Sequence, residues 1–162
     1  MISYRIALSS DAEELLQTRH YTVVNNMAEK YPRSILEAWA PSINELAINK
    51  EAEALNDPDR VTLIAESDGK MVGLCTIGIS EGLLKQCYVL PEYNGRGIAA
   101  ELVKRIEAIA REKGLTNLRL SSSLIALDFY KKQGYQALNS YDYDLGNGLL
   151  MQCVMMEKNL ET

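Results

Sequence analysis

The stretch Val89-Leu90-Pro91-Glu92-Tyr93-Asn94-Gly95-Arg96-Gly97-Ile98-Ala99 decides the reading of this chain, because an extended apolar run ends at Pro91 and an amphipathic helix pattern begins at Ile98. Gly95 and Gly97 can take backbone conformations closed to other residues and let a ligand approach the chain closely. The helix that follows aims its unpaired N–H groups and positive dipole end at the same point. Together they form an anion cradle suited to a phosphate or pyrophosphate. It is not a Walker A loop, which needs a Gly-Lys-Ser/Thr ending, and Ala100 stands where a dinucleotide fingerprint needs its third glycine.

Outward from the cradle, Leu83 to Leu90 reads as the strand that delivers the chain to it. Val61 to Glu66 and Met71 to Ile79 flank Ser67-Asp68-Gly69-Lys70, whose Asp-Gly pair signals a hairpin. Downstream, Ile98, Leu102, Ile106, Ile109 and Ala110 share one helix face that ends at Gly114. Leu118 to Leu120 predicts a short strand and Ile125 to Gln133 a helix. Tyr135 to Tyr143 and Leu149 to Met156 predict a terminal hairpin around Gly146-Asn147-Gly148. Before all of this, Tyr4 to Leu8 predicts a strand, and Ser9-Ser10-Asp11 caps a helix through about Met27. Ser34 with Glu37 and Ser42 with Glu45 fit capping boxes, so two more short helices divided by Pro41 are expected. Strands and helices in this order predict a layered α/β or α+β domain with helices on a central sheet.

With 162 residues and no shift in composition, one domain over residues 1–162 is expected. A net charge of −5 argues against a nucleic-acid partner, because phosphate contacts need a concentrated basic surface. No apolar run approaches the roughly 18 residues that cross a bilayer. With no signal-peptide pattern at the N-terminus either, a cytoplasmic chain that does not engage a membrane is expected. Cys75, Cys87 and Cys153 are odd in number, lack metal-ligand spacing and lie in apolar strand-like runs. They are expected to be buried free thiols, with no metal. Glu101 and Arg105 fit a helix-surface ion pair, whereas Arg96 and Lys132 are the better candidates for an anionic ligand.

With its flanks, the cradle closely resembles the acetyl-CoA-binding motif of the GNAT superfamily of N-acetyltransferases, Arg/Gln-x-x-Gly-x-Gly/Ala after a strand ending in Val-x-Pro. Gly97 and Ala99 match its fourth and sixth positions, and Asn94 replaces the usual Arg or Gln. A second block, Ser123-Leu124-Ile125-Ala126-Leu127-Asp128-Phe129-Tyr130-Lys131-Lys132-Gln133-Gly134-Tyr135, is similar to the family's Asn-x-x-Ala-x-x-Phe-Tyr-x-x-x-Gly-Phe, with Ser123 for Asn and Tyr135 for Phe. Met155 to Leu160 resembles the family's last strand, so the resemblance runs from about Val61 onward. It implies a mixed, mostly antiparallel sheet of six or seven strands with flanking helices, whose middle strands splay apart to admit acetyl-CoA. It further implies transfer of an acetyl group directly from CoA to a primary amine acceptor. An inactive acyl-CoA-binding sensor is the alternative, and a different acyl group would leave both motifs unchanged.

The resemblance assigns the coenzyme site to Cys87, Tyr88, Val89, Asn94, Gly95, Arg96, Gly97, Ile98, Ala99, Ser123, Ala126, Phe129, Tyr130 and Lys132. The Val89 N–H would polarise the thioester carbonyl. Tyr130 matches the family's general acid, protonated at neutral pH because phenol ionises near pH 10. A lysine-like amine is neutral only about 0.04% of the time at pH 7, which costs roughly 4.6 kcal/mol, so the need for a base depends on the acceptor. Leu83 aligns with a glutamate that serves some family members as base. Glu81, two residues earlier, is the remaining candidate through a water, against a solvated turn residue. Tyr31 and Trp39 fall in a segment similar to that of some small bacterial members and are candidate acceptor contacts. His20 reads as a partly buried helix residue. The acceptor stays open, and the terminal hairpin offers an edge for a homodimer.

Overall fold

The computed structural model describes residues 1–161. One seven-stranded sheet draws on the chain from β1 (Ile2–Ile6) through β2 (Arg60–Ser67), β3 (Lys70–Gly78), β4 (Leu83–Val89), β5 (Asn117–Ser123) and β6 (Gln136–Asp144) to β7 (Leu150–Asn159). The order across it is β1-β2-β3-β4-β5-β7-β6, and every neighbouring pair is antiparallel except β4 with β5. The mixed, mostly antiparallel sheet expected from the sequence is therefore present, with β6 on one edge. Helices α1 (Ala12–Asn26), α2 (Arg33–Trp39) and α3 (Glu45–Leu55) cover one face, while α4 (Ile98–Glu112) and α5 (Leu127–Lys132) cover the other.

Burial on both faces explains the near-continuous apolar run of β3. Side chains on β2 alternate between the layers: Leu63 and Ala65 pack with Leu102 and Ile106 of α4, and Ile64 packs with Leu15 and Leu16 of α1. The β2–β3 hairpin turns at Asp68 and Gly69, both with positive φ (51° and 76°), the backbone twist that matches a two-residue hairpin.

Register opens the middle of this sheet. β4 pairs with β5 only at Leu83↔Arg119 and Leu84↔Leu120. On its other side β4 stays paired with β3 up to Val89, apart from one extra residue, Lys85, where the register shifts between Thr76 and Ile77. Such a bulge bends its strand. From Lys85 to Val89 the edge of β4 facing β5 carries no strand partner.

Several local expectations shift. β1 is Ile2–Ile6 rather than Tyr4 to Leu8, since Ala7 and Leu8 already lead into the 3-10 turn Ser9–Asp11. Neither predicted capping box forms: Pro32 begins α2 with Ser34 inside it, and Asn44, not Ser42, caps α3 by accepting from the Ala47 N–H (2.8 Å). Pro32 is the N-cap of α2 and carries no side-chain acceptor, so no side chain caps that helix. Cys75 and Cys153 are buried thiols as expected, but Cys87 is only half-buried because it borders the open edge. Among the described residues, no helix is long and apolar enough to cross a membrane.

Candidate active site

The cradle forms where the chain leaves β4. A 3-10 turn at Pro91–Tyr93 reverses it, Asn94 is extended, and Gly95 and Gly97 both take the left-handed region (φ 77° and 78°). Gly97 is the N-cap of α4 and no side chain caps the helix, so its first-turn amides stay open toward the cradle. A β-carbon built on either glycine meets no atom within 4 Å. The conformation therefore requires the glycines, and the space above them is free for an anionic ligand.

Strand geometry supplies the next donors. The Leu90 N–H donates to the Val72 carbonyl (2.8 Å), which makes Val72–Leu90 a hydrogen-bonded antiparallel pair. Gly73–Val89 and Cys75–Cys87 are then the alternating non-hydrogen-bonded pairs, whose N–H groups point away from β3. The N–H groups of Cys87 and Val89 thus face the gap toward β5.

Three cavities meet at this gap. The first, about 580 Å³, is lined by the cradle, by Cys87, Tyr88 and Val89, and by Ala126, Phe129 and Tyr130. A second, about 60 Å³, fills the gap between β4 and β5 and is lined by Tyr88 and Tyr130 together with Trp39 and Ser123. A third, about 460 Å³, lies beyond it toward α2 and the β6–β7 hairpin. Tyr88 lines all three, Tyr130 the first two and Trp39 the last two. A larger groove of about 1010 Å³ lies between α1 and the Pro91–Tyr93 turn. Of its carboxylates Glu13, Glu14 and Glu92, the latter two are engaged by the Met71 N–H and the Tyr21 hydroxyl, and the groove includes neither Tyr130 nor the cradle glycines.

Tyr130 is 6% exposed, and its ring is stacked edge-on between Phe129 (5.1 Å) and Tyr135 (5.8 Å). Among the described residues its hydroxyl has no hydrogen-bond partner. Burial, followed by the nearby Cys87 thiol, pushes its ionisation well above the ordinary phenol value, so it keeps its proton. Tyr88 is also held protonated by burial, and its oxygen accepts from the Trp39 indole N–H (2.9 Å).

Of the residues predicted for the coenzyme, Asn94, Gly95, Gly97, Ile98 and Ala99 line the first cavity along with Cys87, Tyr88, Val89, Ala126, Phe129 and Tyr130. Arg96, Lys132 and Ser123 are not on its wall. The Arg96 guanidinium sits 4.6 Å over the Tyr93 ring, and Lys132 is on the exposed side of α5, with Gln133 on the wall instead. Ser123 Oγ accepts from the Ala126 N–H (3.2 Å) and lines the second and third cavities. Tyr31 braces the pocket from behind: its hydroxyl accepts from the Leu124 N–H, donates to the Gln152 carbonyl, and its ring meets Trp39 edge-on at 5.8 Å. Glu81 lines the third cavity, 2.6 Å from Lys85 Nζ. The His20 ring donates from Nδ1 to the Ala40 carbonyl (2.8 Å), away from all three cavities. Sequence reasoning missed Thr22 and Asn26 of α1 and Met27 just past it on the wall of the first cavity, and Tyr143, Leu145, Met151 and Cys153 on that of the third. Only the Gly146-Asn147-Gly148 turn pointed to the latter group.

Fold and site set a glycine cradle, an open strand edge and a buried phenol around one opening in a splayed sheet. Residues 21–135 match the acetyltransferase (GNAT) family, and the chain belongs to it. Over 101 residues it is 34% identical to an uncharacterized N-acetyltransferase of Mycobacterium tuberculosis; the match covers 59% of this chain and 65% of that relative, so the chain spans just under two thirds of its length. The solved GCN5-related N-acetyltransferase of Rhodopseudomonas palustris superposes with a TM-score of 0.87 at 27% identity, over 97% of this chain and 94% of that one. PaiA N-acetyltransferase of Thermoplasma acidophilum, solved in complex with coenzyme A, shares the fold (TM-score 0.77, 24% identity, 98% and 99% covered).

Proposed function

We propose that this chain is an acetyl-CoA-dependent N-acetyltransferase that moves the acetyl group directly to a primary amine, through one domain spanning residues 1–162. The observation that carries the reading is the open edge of β4. The Cys87 and Val89 N–H groups face a cavity that begins at the glycine cradle and ends at the unpartnered Tyr130 hydroxyl. Amides of Gly95 to Ala99 hold the pyrophosphate, and the Cys87 and Val89 amides face the pantetheine arm and the thioester carbonyl. The amine enters from the third cavity and attacks the carbonyl carbon, the carbon–sulfur bond breaks, and Tyr130 gives its proton to the departing thiolate. Glu81 lines the acceptor cavity but neither of the two that Tyr130 lines, so a proton it takes from the amine travels through water. Three free thiols suit the reducing cytoplasm as the place of action.

The test is calorimetric titration with acetyl-CoA, followed by thiol release against a panel of amines. Binding with turnover is expected. Binding without turnover across the panel would leave the acyl-CoA sensor, and absence of binding would defeat the reading.

A further inference from the structure

We infer that the acceptor is a primary monoamine with an aromatic or branched aliphatic body, rather than a polyamine. This rests on the acetyl-transfer reading and deepens it. The third cavity continues from the gap that Tyr130 lines, and Trp39, Tyr88, Tyr143, Leu145 and Met151 give part of its wall an aromatic and aliphatic surface. Its volume of about 460 Å³ has room for a ring and a short chain.

The hydroxyls of the two wall serines are already engaged. Ser121 Oγ accepts from the Tyr141 hydroxyl, and Ser123 Oγ from the Ala126 N–H. Among the described residues, the charged ones on the wall are Glu81 and Lys85, which neutralise each other at 2.6 Å at the half-exposed mouth. Asp142 and Asp144 alternate with Tyr141 and Tyr143 along β6 and so fall on the opposite face of the sheet. A second ammonium would therefore enter without a free carboxylate, and an unpaired buried charge is strongly disfavoured.

Tyr88 provides the complementary group. The Trp39 indole fixes its hydroxyl oxygen, and Trp39 and Tyr88 both line the second and third cavities. The second lone pair of that oxygen is free to accept one N–H of a neutral amine, leaving the amine lone pair for attack. A single amine held there, with its body along the aromatic wall, is the ligand this chemistry selects.

Trp39 is the chain's only tryptophan, so its emission reports the cavity without catalysis. Titrations of the coenzyme A-bound protein with 2-phenylethylamine and with spermidine are compared, and thiol release from acetyl-CoA is measured with both. Saturable change at concentrations about tenfold lower for 2-phenylethylamine is expected, with kcat/KM in the same order. Equal or tighter response to spermidine, or no response to 2-phenylethylamine, overturns the inference. Thiol release that favours spermidine does so too while leaving acetyl transfer standing. A selective response to 2-phenylethylamine with no thiol release from either amine defeats acetyl transfer and keeps the ligand class. Lys85→Met, which frees Glu81 to receive a second ammonium, is expected to narrow the preference by about fivefold; an unchanged ratio counts against the charge argument.

Discussion

Two side chains carry the residue-scale chemistry. A general acid has to be protonated when the thiolate leaves, and burial holds Tyr130 above its ordinary ionisation range. Its proton is therefore in place at every pH below about 10, the ordinary phenol value. Under the proposed mechanism, kcat should show no descending limb from this group below that pH. Tyr130→Phe should lower kcat by about a hundredfold or more, the usual contribution of a positioned acid, with acetyl-CoA affinity within about twofold. Equal losses in kcat and affinity would assign Tyr130 to binding instead. Cys87 gives a second handle, since it borders the coenzyme cavity while Cys75 and Cys153 are buried. Maleimide labelling should mark Cys87 first and slow several-fold in saturating acetyl-CoA, which mass spectrometry of the labelled peptides would show; labelling indifferent to acetyl-CoA would place the coenzyme elsewhere.

At the scale of elements, the cradle depends on a left-handed residue at the start of α4. Gly97→Ala introduces no clash, because a β-carbon there meets no atom within 4 Å. It does force an L-residue to φ near 78°, at a cost of about 1 kcal/mol. A loss of that size in unfolding free energy from urea titration is expected, together with weaker acetyl-CoA binding by calorimetry. Full affinity in the folded variant would separate the backbone shape from the ligand. The cradle was legible because its glycines, its preceding strand and the apolar stripe of α4 are all local patterns. The β2–β3 hairpin was legible for the same reason, through Asp68-Gly69. The starts of α2 and α3 were misread because Ser34 and Ser42 satisfy the capping-box spacing, while Pro32 and Asn44 begin the helices. The wall of the third cavity was legible only in part: Trp39 and Tyr88 were singled out from motif neighbourhoods, whereas Tyr143 and Met151 come from two further elements and join them only through the sheet order. Arg96 and Lys132 were chosen for their charge, which says nothing of where a side chain points.

For the whole molecule, the site works only if α4, which begins at the cradle, and α5, which carries Tyr130, keep their relative positions. A buried cluster ties them together through β7. Glu107 of α4 is 4% exposed and accepts from Lys158 Nζ of β7 (2.8 Å) and from the Tyr135 hydroxyl (2.9 Å), while Lys158 also donates to the Gln133 carbonyl just past α5 (2.8 Å). Removing one partner strands the other in a dry site, whereas removing both leaves little to desolvate. Glu107→Ala should therefore cost about 3 kcal/mol in urea unfolding, near the lower end for a broken buried pair. Glu107→Gln combined with Lys158→Met should cost less than the sum of the two single changes, with a coupling of about 1 kcal/mol or more. Simple additivity would show that the cluster is an incidental contact and that the packing of Leu102, Ile106 and Tyr135 alone holds the two helices in place.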